Sequence, residues 1–588
     1  MPAVNRLRFS SSSQYSFIVY LIGIVLVCPA YAADFNYGDL YGSFDTTVSY
    51  GQSYRVQSRA SKLIGIANGG TAFSVNGDDG NLNYDTGLIS TTLKFTSELD
   101  LRYKNFGAFV RGTGFRDFQN DDPNDTARTP LSDQAIDLVG KDLKLLDAYV
   151  WSNFNLGTMP FSIRLGEQVL SWGESTFIQN SINTINPVDV SKLRVPGAEL
   201  KEALVPVGIV SASAGLTDEF NLEGFYQYDY ERVLIDPPGS YFSTNDFVGN
   251  GGNCAVLGFG LAPDYPLLPL GITSSACDLG LPFAAPRAPD DRPEEGGQYG
   301  VALRWFSSIL NNTEFGFYFI NYHSRLPVIN AFQATTAGNA STAAYQIAYP
   351  EDIKLYGVSF NTEVGTTGWA LQGEYSFRND MPLQVDDVEL LLAALGSPLN
   401  QLGVAFDGTG SLIPGFIRRD VSQFQMTASR IFGPMLKANQ SIFITEFAVT
   451  HVHNMPNKNV LRLEAPGTNL PGPFGIFGTR GAPSLQSNDN FADATSWGYR
   501  IVGRLDYNNV IGSINLHPRI EWRHDVSGIT PGPGGNFVGG TKVITTGLGA
   551  TYQNTWQADL SYTSFFGAGA QNLFYDRDFL SLSIAYSF

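Results

Sequence analysis

The sequence predicts an all-β fold, a transmembrane antiparallel up-and-down β-barrel of about eighteen strands with long extracellular loops and short periplasmic turns. Three observations predict it. The amino end is that of an exported chain, the remainder alternates apolar and polar residues at period two in segments of about ten residues, and the connectors alternate short and long.

The amino end carries Arg6 and Arg8, an apolar run over residues 17–27, and Ala30-Tyr31-Ala32 ahead of Ala33. This is the charged, apolar and small-residue order of a secretory signal peptide. The apolar run falls short of the ~20 residues that a membrane-spanning helix needs. Residues 1–32 are therefore expected to be a signal peptide and 33–588 a single outer-membrane barrel of a Gram-negative bacterium. Nothing after residue 27 is long and apolar enough for a membrane helix, so insertion must be through strands.

The strands follow in order. The first three are expected at 43–57, 91–104 and 105–117, and the second sets Lys94, Glu98, Asp100 and Arg102 on one face. The next four are at 144–155, 160–170, 204–215 and 219–232. The seventh strand opposes Glu223, Gln227, Asp229 and Glu231 to Tyr226, Tyr228 and Tyr230, a candidate piece of an outward aromatic girdle. In the ninth, which follows 298–308 and covers 311–323, Phe315, Phe317 and Phe319 oppose Glu314, Gly316, Tyr318 and Tyr322. Strands at 352–363, 367–378, 421–431 and 441–453 come next.

The fourteenth and fifteenth strands, 497–507 and 511–525, place Arg500, Arg504 and Asp506, and then Asn515, His517, Arg519, Glu521 and Arg523, opposite Ile514, Leu516, Ile520 and Trp522. A charged face cannot touch lipid, so it must line water. Strands at 541–552 and 555–566 precede the last, 578–588. There Leu580, Leu582, Ile584, Tyr586 and Phe588 oppose Ser581, Ser583, Ala585 and Ser587. A strand that stops on the aromatic of its apolar face resembles the closing strand read by the barrel-assembly machinery.

Connectors after even-numbered strands are short, as at Lys104-Asn105 and Gln553-Asn554. Those after odd-numbered strands form the expected outer loops 58–90, 118–143, 171–203, 233–297, 324–351, 379–420 and 454–496. A soluble sandwich has no reason to keep its long loops at one end. The third loop, 171–203, carries Glu174, Asp189, Lys192, Arg194 and Glu199 among Pro187, Pro196 and Gly197. Its place in the chain is that of the constriction loop of general porins, and it is the candidate constriction here. Lys94, Glu98, Arg500, Arg504, Asp506, Arg519, Glu521 and Arg523 are the candidate lumen residues along a substrate path.

Composition excludes some classes. The formal charge of −18 becomes −20 when Arg6 and Arg8 leave with residues 1–32, which hold no acid, so nucleic acid is an unsuitable partner. Cys28 leaves too. Cys254 and Cys277 then remain in one Gly- and Pro-rich stretch of an exported chain, where a disulfide is the simplest expectation. Asp79, Asn81, Asn83 and Asp85 begin like a calcium-binding loop, but Tyr84 stands where its glycine belongs and Ser90 where its bidentate glutamate belongs. A polar turn cluster is the expectation there. No metal, cofactor or catalytic constellation follows from the spacing, and His451 and His453 lack further ligands.

Residues 49–51, 63–85, 165–174 (LGEQVLSWGE) and 186–202 resemble the proteobacterial family catalogued as domain of unknown function 1302. The resemblance spans nearly the whole mature chain. It implies an outer-membrane barrel, with a periplasmic lipoprotein and an inner-membrane efflux-type transporter as candidate partners beside outer-membrane lipid. It also tilts the cargo towards lipid-, steroid- or hydrocarbon-related molecules. The functional expectation is a channel or transporter for small amphipathic or hydrophobic molecules. The competing classes are a lipid-modifying barrel enzyme and a structural or adhesive barrel with no open channel.

Overall fold

The computed structural model describes residues 33–473 and 486–588; the expected signal peptide, 1–32, lies outside them. Eighteen strands form one closed antiparallel sheet: β1 Leu40–Arg55, β2 Gly87–Tyr103, β3 Phe106–Asp117, β4 Lys141–Leu156, β5 Met159–Gln168, β6 Val207–Gly215, β7 Phe220–Gln227, β8 Gln298–Ser307, β9 Thr313–Tyr322, β10 Ile353–Glu363, β11 Trp369–Gln384, β12 Phe416–Phe432, β13 Gln440–Val452, β14 Thr495–Ile511, β15 Ile514–Ser527, β16 Lys542–Tyr552, β17 Trp556–Phe566 and β18 Phe579–Ser587. Each overlaps one of the eighteen expected segments. Every strand pairs with its neighbours in the chain, and β18 pairs β1 from Thr47 opposite Ser587 to Arg55 opposite Phe579. This closure leaves no unpaired edge, as a hydrocarbon surrounding requires. Among the described residues no helix is long and apolar enough to cross a membrane.

The alternation sorts side chains as the sequence predicts. Leu143 is 78% and Leu582 47% exposed on the outer surface, where the neighbour in a bilayer is lipid. Near the short turns, outward aromatics stack, with Phe220 and Trp305 centred 6.1 Å apart, Trp305 and Phe315 5.3 Å, and Trp556 and Tyr586 4.6 Å. They form a girdle at that end. A register irregularity between β3 and β4 flips the facing within β4, so that Leu143 and Leu145 point outwards while Asp147 is buried against Arg111.

At the opposite end the long connectors pack on one another as a cap. Tyr230, Phe247, Tyr345, Ile347 and Tyr349 form one buried cluster in it, and Leu383, Val385, Val421, Val452 and Leu463 another. A fully buried ion pair, Arg55 to Asp576 at 3.3 Å, ties the end of β1 to the last connector. Cys254 and Cys277 are joined by a disulfide, Cα to Cα 5.7 Å.

The seventh strand corrects one expectation. It ends at Gln227 rather than 232, and Tyr230 is only 1% exposed, so it is no part of an outward girdle with Tyr226 and Tyr228. The chain turns inwards there because the Tyr230 hydroxyl donates to the Ser324 carbonyl at 2.6 Å and its ring joins the aromatic cluster of the cap.

Candidate functional site within the barrel

The connector between β5 and β6, residues 169–206, does not stay in the cap. It runs through the barrel interior and touches inward-facing residues on three parts of the wall. Asn186 staples its base: the side-chain oxygen accepts from the Leu170 amide at 2.8 Å, and the side-chain amide donates to the carbonyls of Gln168 and Val205 at 3.0 and 2.9 Å.

The first arm is fixed by apolar packing and by three carboxylates. Trp172, Ile182 and Ile185 are buried against Ile209, Phe225, Tyr318 and Leu355 on the inner face of β6–β10, and Trp172 Nε1 donates to Glu223 at 3.0 Å. Fully burying a side chain of this size stabilises by about 1.5–3 kcal/mol. On β13, Glu446 is 0% exposed and accepts backbone N–H groups from Thr176, Phe177 and Ile178 at 2.9, 2.7 and 2.6 Å. On β11, Glu374 accepts from the amides of Glu174 and, at 3.2 Å, Ile182. Arg378 then donates to the Ser181 carbonyl at 2.7 Å.

The second arm crosses to β1–β4. Lys94 pairs with Glu202 and donates to the Gly197 carbonyl at 3.0 Å, while Thr96 donates to Glu202 at 2.7 Å. Pro196 lies so close to Gly51 that a Cβ there would stand 2.5 Å from its ring, so this wall position admits only glycine. Residues 49–51, 165–174 and 186–202, three of the segments that carry the family resemblance, thus meet at this loop.

Of the five charged loop residues singled out from sequence, two stay near the open interior. Glu199 pairs with Lys201 at 3.1 Å, Lys201 reaches Glu98 at 2.9 Å, and Glu174 accepts from Asn361 at 3.2 Å. The other three are packed into protein. Asp189 accepts from the Ser191 amide at 3.1 Å. Lys192, 8% exposed, donates to the Leu138 carbonyl at 2.9 Å and stands 3.7 Å over the Phe115 ring, and burial pushes its amine down to about 8. Arg194 sits between the rings of Phe242 and Phe574, 3.7 Å from Asp236.

The Arg ladder of β14 and β15 faces inwards and is paired. Arg500 and Arg523 both meet Asp525, at 2.8 and 3.1 Å, Arg504 meets Asp506 at 3.0 Å, and His517 meets the same Asp506 at 2.8 Å. Arg519 contacts Glu521 at 3.0 Å and reaches across β16 to Asp559 at 3.1 Å. Its guanidinium crosses at Gly547, where a Cβ would come within 2.6 Å of it. The side chains of Arg504, Glu521 and Arg523 remain 44–45% exposed, so this wall presents both charge signs to water.

The residues suggested for calcium do not converge. Asp79 pairs with Arg128, Asn81 binds Arg55 and Asp576, Asn83 binds the Thr129 and Gly239 carbonyls, and Asp85 meets Arg59 at 2.9 Å. Sequence reasoning also missed Glu374 and Glu446. Period-two alternation places both inside, but only the loop shows what they hold.

Solved structures match the chain over most of its length at low identity and low TM-score. Acinetobacter baumannii OccAB3 is 9% identical, with 93% of this chain and 99% of that one covered at a TM-score of 0.42. A BenF-like porin from Pseudomonas fluorescens Pf-5 is 9% identical, covering 93% and 98% at 0.39. Pseudomonas aeruginosa OpdK, solved with vanillate, is 9% identical, covering 93% and 98% at 0.37. No curated protein matches the chain. The family model described as protein of unknown function (DUF1302) matches residues 16–588, and the chain, an outer-membrane β-barrel, belongs to that family.

Proposed function

We propose that this barrel is a channel for small amphipathic molecules, with fatty or steroid acids as the cargo class, and that the loop 169–206 forms its constriction. The observation that carries the proposal is one chain holding both a charge-lined interior and an apolar cavity in its outer cap. An interior with exposed arginine and carboxylate side chains is a wet one, and it repels an oil lacking a polar head. The cavity is lined by Leu257, Phe259, Ile329, Val388, Leu391 and Leu395, which suits the apolar part of the same solute. An anionic head then meets Arg504, Arg519 and Arg523, whose side chains are paired with carboxylates yet stay partly open to water. The family setting, with its lipoprotein-like and efflux-type neighbours, fits the same cargo class.

The test compares uptake or efflux of a fatty acid with that of a small sugar in cells carrying Arg504→Ala with Arg519→Ala. The expected result is slower passage of the acid with the sugar unchanged. If the barrel assembles and both solutes pass as before, the ladder is a wall brace and the cargo assignment fails.

A further inference from the structure

Among the described residues the cap holds two clusters of three carboxylates, and they differ in how their charge is met. In the first, Asp78, Asp79 and Asp264 face one another, but Arg128 pairs with Asp79 and with Asp264, the latter at 2.6 Å. That cluster has its own cation. In the second, ligand oxygens of Asp386, Asp387 and Glu464 lie within 4.8 Å of one another, and among the described residues no Lys, Arg or His stands within ion-pair distance. The nearby Arg462 is committed elsewhere, to Glu389 at 2.9 Å and to the Pro473 carbonyl at 2.7 Å.

Asp386 is 0% exposed, and neither of its carboxylate oxygens has a hydrogen-bond partner; one oxygen of Asp387 is also without one. Asp386 precedes the helix Asp387–Ala394 and its carboxyl faces the Glu389 amide, but no capping hydrogen bond of good geometry closes, so the cap leaves its charge largely unmet. A buried acceptor left unmatched costs about 1–3 kcal/mol, and more when charged. Glu464 keeps its place by accepting from the Asp387 amide at 2.8 Å and the Thr468 hydroxyl at 3.1 Å, with lone pairs to spare. The backbone around the cluster is fixed from both sides: the Asp386 amide donates to the Arg462 carbonyl at 3.1 Å, the Glu464 amide to the Gln384 carbonyl at 2.9 Å, and Val385 bridges Leu463. The cluster is therefore pre-positioned, with one oxygen from each carboxylate within 4.8 Å of the other two.

We infer that Asp386, Asp387 and Glu464 form a divalent-cation site of calcium type that clamps the β11–β12 connector to the β13–β14 connector. Three carboxylates with no nitrogen or sulfur donor suit a hard cation. Calcium, which takes 6–8 oxygen ligands at about 2.3–2.6 Å in irregular geometry, suits a site completed by water better than magnesium does. Protons are the competitor, because burial, and next the neighbouring Asp387, push the Asp386 carboxyl well up.

The test is calcium titration by calorimetry on the refolded full-length barrel in detergent, stripped with EDTA and free of lipopolysaccharide. The expected result is one site with a Kd of about 10⁻⁴ to 10⁻³ M, in the range of extracellular calcium modules. Asp386→Asn and Glu464→Gln, each confirmed as folded barrel by its gel mobility before and after heating, should weaken it at least tenfold. Asp264→Asn should leave it unchanged. Calcium should also slow protease cleavage of the β11–β12 connector in the parent and not in the two variants. No binding by the parent, which means the cluster holds protons instead, or binding that persists in both variants, overturns the assignment.

Discussion

Replacing Glu446 by glutamine should free the internal loop from the barrel wall. The carboxylate presents two acceptor oxygens to three backbone amides, of Thr176, Phe177 and Ile178, and to the Thr427 hydroxyl at 3.2 Å. Glutamine keeps one acceptor oxygen and turns an NH₂ group towards the remaining donors. Phe177 and Ile178 share one oxygen, so at least one of these charge-assisted bonds is lost, and two are if the NH₂ takes their side. At about 1.5–3 kcal/mol for each bond to a charged group, the docked loop is weakened by at least roughly 3 kcal/mol in the second case. That lower bound corresponds to about a hundredfold in the docking equilibrium. Trp172, Ile182 and Ile185 still hold the first arm, so excursions rather than full release are expected from Glu446→Gln alone, and wider openings when Glu374→Gln is added. Planar-bilayer recordings read this as larger open-level noise in the single variant and a higher mean conductance in the double. Unchanged noise and conductance in a correctly folded double variant would refute the claim that these glutamates hold the constriction.

Two further outcomes follow from the same contacts. Lys192 has a folded-state amine near 8 against about 10.4 when unfolded, so the native loop binds fewer protons between those values and its docking should strengthen as pH rises through that window. Protease sensitivity of the loop should fall from pH 7 to pH 10 in the parent, and Lys192→Met should remove that part of the trend; an identical trend in the variant would count against it. Cys254→Ser should leave the barrel assembled and loosen only its own loop, since closing a loop of this length is worth ~3 kcal/mol in the chain-entropy model while the closed strand ladder does not depend on it. Loss of the folded band on a gel would contradict this.

The barrel was legible in the sequence because its pattern is local. Each strand needs only its own alternation, as with Phe315, Phe317 and Phe319 against Glu314 and Tyr318, and the short turns mark the periplasmic end. The interior was half legible: alternation puts Arg504 and Arg519 inside, but not the reach of Arg519 over Gly547 to Asp559. The cap and the internal loop were not legible, because their partners are far apart in sequence. Glu446 holds amides some 270 residues earlier. Tyr230 continues a period-two run and still turns inwards, because its partners Ser324 and Tyr349 lie in another loop. Lys192 and Arg194, charged and in a long connector, read as constriction residues, yet Leu138, Phe115, Phe242 and Phe574 pack against them.

The most direct test of a wet, loop-narrowed lumen is single-channel conductance of the purified barrel in a planar bilayer, recorded beside a variant lacking residues 174–182. The account predicts discrete open currents from the parent, larger ones from the deletion variant, and a shift in reversal potential when Arg504 and Arg519 are neutralised, because charges beside the path set its selectivity. A parent and a deletion variant that both insert and both stay silent would contradict it.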